Sequence, residues 1–518
     1  MNAQPSIKHS YFLTLFLIIV ISSCQTTIPE IELTELTITE IHAAYQAGTY
    51  SSEDLVRAYL AKIEAENEII NALTVINPEA IKMAQKLDQE YQTTKTLRPL
   101  HGIPIIVKDN INTLGLPTTA GALALKNFIP ETDAYIIQGL KDAGAIILAK
   151  SNMAEWAFSA MHTESSTAGT TRNPYNLDHV PAGSSGGTAA AISANLGAVG
   201  LGTDTGNSIR GPSSHCALVG FRTTLGLISR EGIVPLYLRN DVVGPMCRTV
   251  TDATKVLEAM IGVDTKDPIT ENSRMQLPSG YQQFLKADGL QNARIGVLRE
   301  LSEANPDPAI STLFEAALAD LEKLGATVVD PVIVPDFATL RQNQWCADFG
   351  ADVADFLQTY VKSDTLRTIE DIIRVGTKSD FADRRLQNFV NSSGRYRDPE
   401  IPCEDAFEDQ RRLAFRKAIE FAMDSLDLDA IVYPTWNNPP ALIENFEEEY
   451  LGDNNQIIAP HTGQPAFTVP MGYTPAGLPT GLQFLGRMFD EPKLISFCYS
   501  YEQGTKHRVA PVLEAAND

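Results

Sequence analysis

Residues 181–210 open with Pro181-Ala182-Gly183-Ser184-Ser185-Gly186-Gly187-Thr188, pass through a run of small apolar residues, and close with Gly202-Thr203-Asp204-Thr205-Gly206-Asn207-Ser208-Ile209-Arg210. Two serine-bearing, glycine-rich turns thus flank one helix-and-strand unit. Glycine lets the backbone approach a ligand closely and aim several N–H groups at one spot, which is what a developing oxyanion requires. A purely structural loop rarely needs that arrangement twice.

Around this unit the chain alternates helix and strand. Thr37 and Glu40 have capping-box spacing before an apolar stretch that stops at Gly48, and Ser51 or Ser52 caps a second amphipathic helix carrying Leu55, Tyr59 and Ile63 to about Asn67. Asn77-Pro78 predicts a third helix with Pro at its first position. The β-branched run Ile103 to Val107 predicts a strand that leaves Lys108 at its end. Asp133 to Gly144 reads as a helix closed by glycine, and Ala145 to Ala149 as a buried strand. The alternation recurs at 294–298, 314–324, 327–329, 404–425 and 430–433. The expected architecture is α/β, with a mostly buried sheet.

Several separated motifs accompany the serine turns. Gly102-Ile103-Pro104-Ile105-Ile106-Val107-Lys108-Asp109 lies upstream, followed by Ile147-Leu148-Ala149-Lys150-Ser151-Asn152-Met153. Val243-Gly244-Pro245-Met246-Cys247-Arg248-Thr249-Val250 and Gly463-Gln464-Pro465-Ala466-Phe467-Thr468-Val469-Pro470-Met471-Gly472 follow downstream. Together these resemble the amidase signature family, in particular its peptide amidase and general amidase branch, and the resemblance covers nearly the whole mature chain. Several motifs in the right order carry far more weight than one short pattern. The resemblance implies a single large domain with a central mixed, twisted β-sheet covered by helices on both faces.

It also implies a hydrolase of carboxylic or peptide amides, working through an acyl-Ser208 intermediate. Carried over by motif position, the nucleophile falls on Ser208, the bridging serine, on a cis peptide bond, on Ser184, and the base on Lys108. Serine is a poor nucleophile until a base removes its proton, and lysine serves as that base only when burial or neighbours depress its pKa. The N–H groups of Thr205, Gly206, Asn207 and Ser208 are the candidates for an oxyanion hole. Asn207 stands where the family pattern has glycine, and it keeps the N–H while tolerating left-handed backbone angles. Ser185, Asp204 and Arg210 are supporting residues, Arg210 being the one able to bind a carboxylate in bidentate fashion. Asp109 is expected to point away from Lys108, because an anion there would favour the ammonium form.

One alternative stays within hydrolases. Gly183-Ser184-Ser185-Gly186-Gly187 also fits the nucleophile elbow of an α/β-hydrolase-type esterase, with Ser185 attacking. An elbow needs a strand directly before the serine, and residues 173–181 are turn-rich and bounded by proline. Another alternative is an amidotransferase A-subunit-like glutamine amidase, which would act with a partner on aminoacylated tRNA. The histidines, including His101, His162, His215 and His461, lack metal-site spacing, and no nucleotide-binding motif is present, so no metal or cofactor is expected. The lining of an acyl pocket by residues such as Phe158, Trp345 and Trp436 is not fixed by any motif.

The formal net charge is −23, from 64 acidic and 41 basic residues among 518, which repels nucleic acid and suits a solvated surface. Lys8 and His9 precede an apolar stretch from Phe12 to Ile21, too short for a resident membrane helix and suited to a signal h-region. Ile21-Ser22-Ser23-Cys24 then resembles a bacterial lipobox. The expected organisation is a signal peptide at 1–23, a tether at 24–33 beginning at lipidated Cys24, and a catalytic domain at 34–518. Export follows, with anchoring to a bacterial membrane on its periplasmic side and no obligate protein partner. The remaining cysteines, Cys216, Cys247, Cys346, Cys403 and Cys498, are odd in number and scattered, which is no disulfide framework.

Overall fold

The computed structural model describes Met1 and residues 30–345, 348–391 and 404–513. The h-region, the lipobox and Cys24 lie outside the described residues. Eleven strands form one sheet: β1 (Leu73–Ile76), β2 (Pro104–Lys108), β3 (Ile146–Ser151), β4 (Val199–Asp204), β5 (Val219–Arg222), β6 (Val242–Cys247), β7 (Arg294–Val297), β8 (Thr327–Val329), β9 (Ala430–Pro434), β10 (Ala466–Tyr473) and β11 (Pro479–Leu485). Their spatial order is β1-β3-β2-β4-β6-β5-β10-β11-β9-β7-β8. Parallel pairs β3·β2 and β2·β4 sit toward one end and β9·β7 and β7·β8 at the other, while the middle is antiparallel. This is the mixed α/β sheet expected, flanked by helices.

Local chemistry explains the elements. β2 and β3 are buried at every position, as parallel strands covered on both faces must be. Thr37 and Ser51 each close a capping box, on helices Ile38–Ala47 and Ser52–Ile70, and Gly48 takes a left-handed φ of 68° to end the first. The second helix runs to Ile70, beyond the expected Asn67. The third begins at Ala80, so Pro78 lies in the preceding turn and not at the first helical position; Asn77 Oδ1 accepts the Glu79 N–H there and completes an Asx turn.

The main apolar core joins the sheet to the outer helices. A second, separate cluster is built by the helices Phe349–Phe356, Ile369–Val375 and Asp380–Asn391, whose Phe349, Val353 and Leu386 pack with Trp156, Phe158 and Tyr237. It forms one wall of the cavity described next.

Candidate active site

Lys108 ends β2, between β3 and β4, and its side chain is fully buried. Its Nζ lies 2.8 Å from Ser184 Oγ and 2.8 Å from Thr203 Oγ1. Burial depresses the amine to about pH 7, against the opposing pull of Asp204 and Asp241. Its hydroxyl partners are therefore one serine and one threonine, the latter carried there by β4. Asp109 does turn away from Lys108. It lies 3.7 Å from the Nζ of Lys150 and accepts hydrogen bonds from the N–H and hydroxyl of Thr119. Lys150 is a second buried lysine, donating to Ile111 O (2.7 Å) and Thr118 Oγ1 (2.9 Å), away from the serines.

The first serine turn is fixed by close packing. The Gly183–Ser184 peptide bond is cis. A Cβ on Gly183 would collide with the carbonyl oxygens of His162 and Ser159, so only glycine fits. The Gly183 N–H donates to Ala160 O at 3.0 Å, and Ser184 O accepts from Ala154 N at 3.0 Å. Ser185 is fully buried, and its Oγ donates to the carbonyl of Thr203 at 3.2 Å and accepts its N–H at 3.4 Å. It cross-links the turn to β4. No strand precedes it, so the elbow geometry is missing.

The second turn follows β4 directly. Among the described residues, the N–H groups of Thr205, Gly206, Asn207 and Ser208 donate to no protein acceptor, although this segment lies in the interior. Buried N–H groups are normally paired, so four consecutive free donors mark a place built to receive an acceptor. All four residues line a cavity of about 280 Å³, together with Phe158, Tyr237, Trp345, Phe381 and Tyr450. Phe158 and Trp345 thus reach the cavity; Trp436 stands outside that lining, packed on His215 with its Nε1 donating to Leu451 O. Asn207 is not in a left-handed conformation, so tolerance of such angles is not what admits asparagine here. The Ser208 hydroxyl has one hydrogen bond, to Asn207 Oδ1 at 3.4 Å, and none to Ser184.

Beneath the turn, the Asp204 carboxylate accepts from Arg210 Nε (3.1 Å), Arg222 Nη1 (2.8 Å) and the N–H of Ile209 (3.2 Å). Burial opposes its ionisation, but the two guanidinium groups outweigh that and hold the carboxyl at about 2. Arg210 also donates to Gly206 O, Asn455 O and Gln483 Oε1. Its donors are spent inside the protein, leaving no fork for a substrate carboxylate. Arg222 and Asp241 escape motif reading. Asp241 accepts the Thr205 hydroxyl at 2.6 Å and the N–H groups of Leu236 and Tyr237, tying the cavity rim to the second turn. The lone signal for it in the sequence is an Asp inside a turn-forming Arg239-Asn240-Asp241 run.

A sequence model of the amidase family matches residues 54–495. A probable amidase of Arabidopsis thaliana is 33% identical over 499 residues, covering 92% of this chain and 91% of that protein. The glutamyl-tRNA(Gln) amidotransferase A-subunit of Microcystis aeruginosa is 32% identical, covering 90% of this chain and 97% of its own. Among solved structures, the native peptide amidase from Stenotrophomonas maltophilia superposes with a TM-score of 0.81 at 34% identity, over 94% of this chain and 100% of the other.

Proposed function

The chain belongs to the amidase signature family and is an amide hydrolase, and we propose that Ser208 is its nucleophile, with Ser184 and Lys108 as the proton relay. One observation carries the assignment: a buried amine depressed to about pH 7 lies 2.8 Å from a serine hydroxyl beside a turn of four free N–H groups.

Ser208 Oγ attacks the amide carbon while its proton passes to Ser184 Oγ and the Ser184 proton passes to Lys108 Nζ. The carbonyl oxygen becomes an oxyanion held by the free N–H groups of residues 205–208. The relay then runs backward, Lys108 returning its proton through Ser184 to the leaving nitrogen as the C–N bond breaks. Water, deprotonated by the same path, attacks the acyl-Ser208 ester, releasing the acid and restoring the serine. Substrate binding closes the remaining gap between Ser208 and Ser184, a tightening ordinary for catalytic hydrogen bonds.

The substrate we favour is an amide with a bulky apolar acyl part, such as a peptide C-terminal amide, because five aromatic side chains wall the cavity. The likeness to a peptide amidase supports that choice. The leader and lipobox support export and a lipid anchor at Cys24, an address that leaves no aminoacylated tRNA for an amidotransferase role.

The test is labelling with a fluorophosphonate, followed by peptide mapping. The phosphonyl adduct is expected on Ser208 and absent from Ser208→Ala; an adduct on Ser185, or none on an amide-hydrolysing preparation, would overturn the assignment.

A further inference from the structure

Asn207 is 1% exposed, although it lines the cavity. Its Nδ2 donates to Ala160 O at 3.1 Å. A carbonyl can only accept, so this contact fixes which end of the amide is which and turns Oδ1 toward Ser208 Oγ at 3.4 Å. The same Ala160 carbonyl accepts the N–H of Gly183, 3.0 Å away, immediately before Ser184. One acceptor with two lone pairs therefore joins both serine turns.

The acceptor itself is held firmly. Ser159 Oγ lies 2.7 Å from His162 Nδ1 and accepts the N–H groups of Met161 and His162 at 3.2 Å each, and the His162 ring stacks on Phe446 with centroids 3.7 Å apart. Space for the amide is kept open from the other side. A Cβ on Gly211 would stand 2.8 Å from Asn207 Nδ2 and 3.0 Å from the Trp436 ring.

We propose that Asn207 is a positioning residue, clamping the Ser208 turn to the Ser184 turn through the shared carbonyl of Ala160. The inference rests on Ser208 being the nucleophile, and it explains what the side chain does at the position where the family pattern has glycine. The clamp sets the spacing across which the proton must travel, so it acts on the chemical step and leaves substrate affinity alone.

The test compares Asn207→Ala with Asn207→Leu, which fills nearly the same volume without hydrogen bonds, and adds Gly211→Ala, which takes the space of the amide. All three are expected to lower kcat about tenfold, the size of one lost orienting hydrogen bond, with KM within about twofold of the parent. The rate of fluorophosphonate labelling should fall in parallel. A raised KM at unchanged kcat would mean substrate contact and overturn the clamp. So would a near-parental Asn207→Leu beside a weak Asn207→Ala, which would mean mere filling, and so would parental kinetics in all three. Absence of the adduct from Ser208 in the parent enzyme would instead defeat the nucleophile assignment.

Discussion

The hydroxyl of Thr203 stands 2.8 Å from the amine of Lys108, as near as Ser184, and it also accepts the Asn110 amide at 3.1 Å. As an acceptor it favours the ammonium form. Thr203→Val should therefore move the amine further below about 7. Its plateau activity should fall about tenfold through loss of an orienting contact, and a pH–rate profile should show its rising limb shifted to lower pH. A limb shifted upward would contradict this role.

The parent enzyme should gain activity along a single limb. The working base is the neutral amine, so the active fraction grows as pH rises through about 7 and then levels off. Lys108→Arg should be inactive across this range, since guanidinium keeps its proton. Substantial turnover by Lys108→Arg would exclude lysine as the base.

The serines separate by role. Ser184→Ala should stay folded, because the backbone bond from the Ala154 N–H to its carbonyl is kept, yet lose several orders of magnitude in kcat, because the hydroxyl beside Lys108 that carries the relay is gone. Ser185→Ala should keep its phosphonyl adduct and lose about 1 kcal/mol of stability with its cross-link to Thr203. Thermal unfolding and labelling, run on the same preparations, distinguish the two.

Asp204→Asn leaves Arg210 and Arg222 buried beside a neutral amide. Breaking such a cluster typically costs about 3 to 5 kcal/mol, measurable as a lower urea midpoint at unchanged slope. It also removes an anion that favours protonated Lys108, so any residual activity should show its limb at lower pH.

For the anchor, the full-length protein should enter the detergent phase in a phase-partition assay, and Cys24→Ser should remain in the aqueous phase. Detergent-phase behaviour indifferent to that substitution would remove the lipid claim.

The sequence discloses this fold unevenly, for physical reasons. Strands made of continuous apolar residues, such as Ile103 to Val107 or Ala145 to Ala149, are legible, because both faces are buried. The antiparallel middle is not. Pro245 sits in β6, between β4 and β5, where a missing N–H ordinarily argues against a strand. β10 carries Pro470 and Gly472 around a register shift, and β11 opens on Pro479 and contains Gly481. In the site, Lys108, Ser184 and Ser208 lie within recognisable motifs, but Thr203 and Asp241 gain their roles only when the sheet and the 236–241 turn bring them beside the amine and the second serine turn.

The cavity has two walls of different origin. The reacting groups ride on strand ends and the tight turns after them, where a Cβ on Gly183 already meets backbone. On the facing aromatic wall, Phe158, Tyr237, Trp345 and Phe381 belong to the second apolar cluster, with Phe381 on one of the helices between 349 and 391. Mutations in those helices can reshape what the enzyme accepts while the machinery that breaks the bond is untouched. The groups that break the bond and most of the side chains that wall the acyl space thus sit on different parts of the chain.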